Sequence, residues 1–256
     1  MTHDLPHERT AVVTGAASPR GIGRVVAEQL LRDGWSVGVI DLDADAAATA
    51  AAGLAEATGG RAHGVGADIS DPDAVAHAVD TLEQALPPLV GLANIAGISS
   101  PTPYLELSLD EWRRQIDVNL TGVHIVTQRV ARSMVTHQVG RIVNISSISA
   151  QRGGGTFSKT PYSAAKAGLV GFTRAIAREL GEYGITANIV SPGPIDTDIM
   201  GGRLSEERKE GFIAEQLVKR IGTPSDVAAA ITFLMSQRAG FITAENISVN
   251  GGQYMG

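Results

Sequence analysis

Tyr162 and Lys166 lie four residues apart, in a segment whose apolar residues recur at steps of three and four. This periodicity predicts a helix, and residues four apart share one helix face, so we expect a phenol beside an ammonium. A nearby positive charge favours the phenolate and lowers the pKa of a tyrosine from its usual value of about 10. Tyr162 is therefore a candidate proton donor or acceptor. The same spacing is common on ordinary solvated helix faces. The rest of the sequence is therefore needed to distinguish a catalytic pair from such a face.

Composition and charge exclude several kinds of protein. The chain has 256 residues and a net charge of −6, with its Lys and Arg residues scattered, which argues against a nucleic-acid partner. It has no cysteine, and its six histidines form no ligand-spaced cluster, so we predict no disulfide and no metal site. No apolar run approaches the roughly 18 residues of a membrane span, and the first residues lack the apolar core of a signal peptide. We therefore expect a soluble, cytoplasmic protein without a membrane partner.

Strand and helix patterns alternate along the chain. The short apolar, β-branched runs lie at residues 10–14, 35–40, 61–67, 89–93 and 141–145. Asp71 is a predicted N-cap with Pro72 at the first helical position, and a long helical pattern covers residues 108–137. Within that pattern, Asn119 is expected to mark a kink or an exposed position. The alternation predicts an α/β fold with a doubly wound parallel sheet, in which ligands bind beyond the carboxyl ends of the strands.

A glycine-rich turn, Gly15 to Gly23, follows the first strand and precedes a helix. Such a turn lets backbone N–H groups and the helix N-terminus face an anionic diphosphate. The second strand ends at Asp41, whose carboxylate would accept hydrogen bonds from an adenosine ribose and repel a 2′-phosphate, which favours NAD. Arg20 favours NADP, because a guanidinium can pair with that phosphate, or else it is an exposed loop residue. We weigh Asp41 more heavily, because a carboxylate facing a phosphate is strongly unfavourable.

In its motifs and their order the chain resembles the short-chain dehydrogenase/reductase family over nearly its whole length. The run from Thr14 to Gly23 is similar to the family's cofactor loop, with a longer turn around Ser18 and Pro19. Residues 94–97, Asn-Ile-Ala-Gly, are similar to the family's Asn-Asn-Ala-Gly motif. The resemblance implies a single Rossmann-type domain over residues 1–256, with about seven strands. It also implies an oxidoreductase that acts on CH–OH groups with NAD, or alternatively NADP, as acceptor.

The resemblance assigns roles to individual residues. The implied catalytic residues are Asn119, Ser147, Tyr162 and Lys166. Ser147 is preferred to its neighbour Ser146, because in relatives the catalytic serine follows the strand asparagine, here Asn144, by three. The implied cofactor-binding residues are Gly15, Arg20, Gly21, Ile22, Gly23, Asp41, Asp68, Ile69, Asn94, Ala96, Gly97, Tyr162, Lys166, Pro192, Gly193, Ile195 and Thr197. The implied substrate-binding residues are Ser147, Ser149, Lys159, Tyr162 and Gly193.

The residues define the substrate less closely. The pocket is expected beside the polar loop at residues 149–159. Lys159 is a candidate ligand for a carboxylate or sugar-acid group, with a solvated loop lysine as the alternative. Residues 198–218 mix both charge signs with apolar residues, and we predict a substrate-binding lid there, with an ordinary surface helix as the alternative. Relatives are usually tetramers, so the resemblance implies a homotetramer.

The resemblance also implies a mechanism. Tyr162 donates a proton to a carbonyl oxygen as hydride arrives from the nicotinamide, and the Ser147 hydroxyl hydrogen-bonds that oxygen. Lys166 holds the nicotinamide ribose and lowers the Tyr162 pKa, while Asn119 positions a water. The predicted function is the NAD-dependent interconversion of a secondary alcohol, polyol or hydroxy acid and a ketone. The alternatives are an NADPH-dependent 3-oxoacyl thioester reductase of the acyl carrier protein type, and a nucleotide-binding protein without catalysis.

Overall fold

Seven parallel strands form one sheet in the computed structural model, which describes residues 4–155, 157–200, 202 and 204–255. They are β1 (Thr10–Thr14), β2 (Ser36–Asp41), β3 (Ala62–Gly66), β4 (Leu89–Asn94), β5 (Gly140–Ile145), β6 (Ile185–Pro192) and β7 (Asn246–Val249). Their order in the sheet is β3-β2-β1-β4-β5-β6-β7. Because the order reverses between β1 and β4, a crevice opens there beyond the carboxyl ends of the strands. The predicted doubly wound, Rossmann-type sheet is confirmed.

Helices cover both faces of this sheet. They are α1 (Ile22–Arg32), α2 (Ala44–Thr58), α3 (Pro72–Ala85), α4 (Leu109–Ile116), α5 (Gly122–His137), α6 (Ser149–Arg152), α7 (Thr160–Leu180), α8 (Glu206–Glu215) and α9 (Pro224–Met235). One core packs the sheet against α1, α2 and α9, and a second core packs it against α3, α5 and α7. Val12 and Val13 belong to opposite cores, as the two-residue period of a strand requires. The sheet is therefore buried on both faces, which explains its continuous apolar runs.

Local signals set the helix boundaries. The Asp71 side chain accepts hydrogen bonds from the backbone N–H groups of Asp73 and Ala74, and Pro72 is the first residue of α3, as predicted. The long helical pattern begins after Ser108, whose hydroxyl caps α4. It continues through a π-helical turn, Asp117–Thr121, into α5. Such turns often occur at functional sites.

The helices that the structure describes include none long and apolar enough to cross a membrane. Within the same residues, no group of three His, Cys, Asp or Glu side chains is arranged to hold a metal ion.

Candidate active site

A cleft of about 700 Å³ lies at the carboxyl ends of the strands, between the loops that follow β1 to β6. Its wall includes most of the predicted site residues: Gly15, Gly21, Ile22, Asp41, Asp68, Ile69, Ala96, Gly97, Ser147, Ser149, Tyr162, Lys166, Pro192, Gly193, Ile195 and Thr197. Five of the predicted site residues are described by the structure but are not part of the wall: Arg20, Gly23, Asn94, Asn119 and Lys159. The fold therefore brings together residues from six loops that are distant in the chain.

Helix α7 carries Tyr162 and Lys166 on one buried face. The Tyr162 side chain is only 7% exposed and that of Lys166 only 2%. The Lys166 Nζ lies 5.7 Å from the centre of the Tyr162 ring and donates a hydrogen bond of 2.9 Å to the Ile145 carbonyl at the end of β5. The predicted pairing of a phenol with an amine is present, and its burial rules out the alternative of a solvated helix face.

Burial controls the charge of both groups. It raises the pKa of Tyr162 to about 12, and a hydrogen bond with Ser147 acts in the opposite direction without overcoming it. Burial lowers the pKa of Lys166 to about 8. Burial therefore dominates the pKa of Tyr162 here, and the expected lowering of that pKa by Lys166 stays a prediction. At neutral pH Tyr162 is a protonated phenol, which is the form that can donate a proton.

The two serines after β5 have different surroundings. The buried Ser146 hydroxyl donates a 2.7 Å hydrogen bond to the backbone carbonyl of Lys166, so it fastens α7 to the end of β5. The Ser147 hydroxyl hydrogen-bonds the Tyr162 phenol and accepts a 3.1 Å hydrogen bond from the backbone N–H of Ser149. Ser147, and not Ser146, therefore has its hydroxyl beside the candidate proton donor.

Asn119 is fully buried in the π-helical turn, so the exposed position considered for it is wrong. Its Nδ2 donates to the Ile98 carbonyl at 2.9 Å, and its Oδ1 accepts from the Ile98 N–H at 3.1 Å. A Cβ on Gly97 would lie 2.7 Å from Asn119 Oδ1 and 3.5 Å from Lys166 Nζ, so only glycine fits between them. Asn119 thus fixes the loop after β4 directly behind the cleft wall.

Asn94 supports the sheet instead of facing the cleft. Its Nδ2 donates to Thr127 Oγ1 at 2.9 Å and to Asn144 Oδ1 at 2.8 Å, and the side chain is buried. Asn144 in turn donates to Thr173 on α7. The Asn94 amide therefore links β4, β5 and α5, and the implied cofactor contact of Asn94 stays a prediction.

The glycines in the turn after β1 leave its backbone accessible, so that a ligand in the cleft can approach it closely. Gly15 has a φ of 72°, and a Cβ on it would lie 2.7 Å from the Ala96 Cα. Gly21 precedes α1 without any side-chain cap, so the first N–H groups of the helix are open to the cleft. A Cβ on Gly23 would lie 2.4 Å from the Gly15 carbonyl oxygen, so Gly23 is needed for packing and is no part of the wall. The open helix N-terminus fits an anionic diphosphate.

Two carboxylates line the cleft beside β2 and β3. Asp41 Oδ2 accepts from the Ala17 N–H at 2.8 Å, and its Oδ1 accepts from the Leu42 N–H at 2.9 Å. Asp68 Oδ1 accepts from the hydroxyl and the N–H of Ser70, and these bonds lower the Asp68 pKa. Asp41 is thus held as an acceptor next to the glycine-rich turn.

The chain matches a known family over most of its length. A family profile described as enoyl-(acyl carrier protein) reductase matches residues 15–253. An uncharacterized short-chain type dehydrogenase/reductase of Sinorhizobium fredii is 41% identical over 244 residues, which are 95% of this chain and 96% of that relative. The chain belongs to the short-chain dehydrogenase/reductase family.

Two further relatives of this short-chain dehydrogenase/reductase have more specific names. The 3-oxoacyl-[acyl-carrier-protein] reductase of Aquifex aeolicus is 38% identical over 246 residues, covering 96% of this chain and 97% of that relative. The crystal structure of a 3-oxoacyl-[acyl-carrier protein] reductase with bound NAD from Brucella melitensis matches with a TM-score of 0.88 at 34% identity, covering 100% of this chain and 93% of that chain. The protein is an oxidoreductase that acts on CH–OH or keto groups with a nicotinamide dinucleotide.

Arg20 has neither of the environments considered for it in this dehydrogenase/reductase. Its Nη2 donates to Asp196 Oδ1 at 2.8 Å and its Nη1 to Asp198 Oδ1 at 2.7 Å. The guanidinium is therefore engaged with the loop after β6, and it neither lines the cleft nor stands free in solvent.

The substrate end of the cleft contains residues that were not predicted as site residues. Arg152 Nη1 lies 3.0 Å from Glu215 Oε2, and the Gln253 side chain donates to the same oxygen at 2.8 Å. The wall also includes Phe157 and Phe212. The sequence predicts pocket segments at residues 149–159 and 198–218, but no local pattern points to Gln253.

Lys159 is not among the residues of the cleft wall. Its backbone N–H donates to the Ser100 carbonyl at 3.3 Å, and it immediately precedes α7 outside the cleft wall. Lys159 is the N-cap residue of α7, and its expected substrate contact stays a prediction. Within the predicted substrate segments, Thr156, Gly201 and Arg203 lie outside the described residues.

Proposed function

We propose that this short-chain dehydrogenase/reductase interconverts a secondary alcohol, polyol or hydroxy acid and the corresponding ketone, with NAD as its dinucleotide. The observation that carries the proposal is a buried Tyr162 phenol in the cleft, hydrogen-bonded to Ser147 and beside Lys166. A module that only binds nucleotides needs no such buried phenol. A catalytic role is therefore favoured over binding alone.

The residues present fit a nicotinamide dinucleotide along the length of the cleft. The uncapped N-terminus of α1, with Gly21 and Ile22 in the cleft wall, binds the diphosphate, and Asp41 accepts hydrogen bonds from the adenosine ribose. Lys166 donates to the nicotinamide ribose, and the segment from Pro192 to Thr197 orients the carboxamide. When bound, the dinucleotide supplies or accepts the hydride.

The protein's own groups move the proton. In reduction, Tyr162 donates its phenolic proton to the substrate oxygen, and the Ser147 hydroxyl donates a hydrogen bond to that oxygen as negative charge develops. Asn119 holds the loop beside Lys166 and positions a water that connects Lys166 with solvent. In oxidation the same steps run in reverse. Burial keeps the phenol protonated at neutral pH, which is the form that donates the proton in reduction.

Asp41→Asn tests the choice of dinucleotide. Removing the charge weakens the ribose contact and removes the repulsion of a 2′-phosphate, so the ratio of kcat/KM for NADP to that for NAD rises about tenfold or more. Asp68→Asn is the matched control, because Asp68 is a second cleft carboxylate and its loss should affect both dinucleotides alike. An unchanged ratio in Asp41→Asn would remove Asp41 as the discriminator.

Ser147→Ala and Ser146→Ala separate catalysis from structure. Ser147→Ala removes the hydroxyl that stabilises the developing charge, and we expect kcat to fall by about a hundredfold or more. Ser146→Ala removes a buried hydrogen bond to α7, and we expect a stability loss of about 1 kcal/mol with most of kcat retained. Steady-state kinetics and thermal unfolding distinguish the two. Equal losses of kcat would contradict the assignment.

The alternative is an NADPH-dependent reductase of 3-oxoacyl thioesters. It is favoured by the names of the Aquifex aeolicus and Brucella melitensis relatives. Reduction of a 3-oxoacyl thioester with NADPH, compared with oxidation of secondary alcohols with NAD, discriminates between the two functions.

The lid, assembly and location are further parts of the proposal. Helix α8 would act as the lid, because Arg208 stacks 3.6 Å from the Phe157 ring and Glu215 pairs with Arg152 across the cleft mouth. By resemblance to relatives we propose a homotetramer in the cytoplasm that acts on a small molecule. Sedimentation equilibrium measures the assembly directly.

A further inference from the structure

Two walls of the cleft are joined by a bridge of ion pairs. Arg20, in the turn after β1, donates to Asp196 at 2.8 Å and to Asp198 at 2.7 Å, both in the segment after β6. The side chains of Arg20, Asp196 and Asp198 are 28%, 29% and 44% exposed, so these ion pairs are partly accessible to solvent. Lys209 of α8 adds a longer contact of 3.9 Å to Asp196. We name Arg20, Asp196 and Asp198 the clasp.

The clasp lies where a bound dinucleotide has to pass. Gly21 follows Arg20 directly and opens α1 at one wall, while Thr197 stands between the two aspartates and belongs to the other wall. A dinucleotide that extends from Asp41 to Tyr162, as the proposed function requires, passes between these two walls. The ion pairs then join the walls across its central part.

The carboxylates of Asp196 and Asp198 are poorly suited to bind the anionic dinucleotide directly. Partly exposed ion pairs contribute little to folding stability. Two carboxylates near the N-terminus of α1 also oppose an anionic diphosphate through simple Coulomb repulsion. Their placement is explained if they act on Arg20, whose planar guanidinium presents a separate donor to each carboxylate.

We propose that the clasp controls the exchange of the nicotinamide dinucleotide, because it must open before the dinucleotide can leave. Asp196 and Asp198 are then cofactor-retaining residues, and the Lys209 contact connects the clasp to α8. This inference rests on the dinucleotide binding of the proposed function. It concerns the rate of release and not the chemical step.

The test is the rate of NADH release, followed by stopped-flow fluorescence after displacement with excess NAD. The variants are Arg20→Gln, the double variant Asp196→Asn/Asp198→Asn, and the triple variant that combines them. Charge alone predicts that the loss of two carboxylates slows the release of an anionic ligand. The clasp predicts the opposite sign for the double variant, which releases NADH about tenfold faster. Arg20→Gln also releases NADH about tenfold faster, as charge alone would predict too, so the discriminating results are those of the double variant and of the triple variant, which is no faster than the double variant.

Arg32→Gln is the matched control, because it removes the same charge from α1 and breaks the exposed Arg32–Glu28 ion pair away from the cleft. We expect its release rate to equal that of the wild type. Unchanged or slower release from Asp196→Asn/Asp198→Asn overturns the clasp but leaves the proposed function intact, provided that the wild type binds NADH saturably. A wild type that shows no saturable NADH binding overturns both.

Discussion

Tyr162→Phe lowers kcat by about a thousandfold and leaves the affinity for NADH nearly unchanged. The substitution removes only the phenolic oxygen, while the buried ring keeps its volume and its place beside Lys166 Nζ. Proton transfer to the substrate oxygen then has no donor, although the dinucleotide contacts remain. Steady-state kinetics in both directions and a fluorescence titration with NADH measure the two effects separately.

Tyr183→Phe is the control for this substitution, because Tyr183 lies beyond the far end of α7 and outside the cleft wall. It should retain the wild-type kcat. A Tyr162→Phe variant that kept even a tenth of wild-type turnover would remove Tyr162 from the proton-transfer role.

Lys166→Ala damages both binding and catalysis. Its amine is proposed to hold the nicotinamide ribose, and its removal also leaves the Ile145 carbonyl without its hydrogen bond. We expect the Kd for NADH to rise about tenfold and kcat to fall about a hundredfold. Unchanged NADH affinity in the variant would show that the proposed ribose contact is wrong.

The pH dependence gives the second signature of Lys166. Because burial lowers the pKa of Lys166 to about 8, its ammonium form is present below that pH and is lost as the pH rises through it. Burial raises the pKa of Tyr162 to about 12, so the phenol stays protonated over this range. The kcat of the wild type in the reductive direction should therefore fall above about pH 8, and Lys166→Ala should lack this fall. A persistent fall in the variant would assign it to another group.

The architecture was largely predictable from local sequence. Each predicted strand boundary lies within one residue of the observed one, because short β-branched runs bounded by turn residues carry their own signal. The capping of α3 by Asp71 and the shared helix face of Tyr162 and Lys166 were likewise local consequences of spacing. These features need no knowledge of distant residues.

The remaining details depend on contacts between distant parts of the chain. The partners of Arg20 follow it by 176 and 178 residues, and nothing near Arg20 indicates them. The rise in the Tyr162 pKa comes from burial, which spacing on a helix does not show. The inward direction of Asn94 and the position of Gln253 in the cleft wall are also set by tertiary packing.

The most direct test of the central claim is the turnover of a panel of secondary alcohols, polyols and hydroxy acids, with NAD and NADP in parallel. The absorbance of the reduced dinucleotide measures the turnover. Tyr162→Phe serves as the matched inactive variant. We predict turnover by the wild type with a preference for NAD, and none by the variant. Saturable NAD binding without turnover of any alcohol or ketone, in either direction and with either dinucleotide, would contradict the proposal and leave a nucleotide-binding protein without this chemistry.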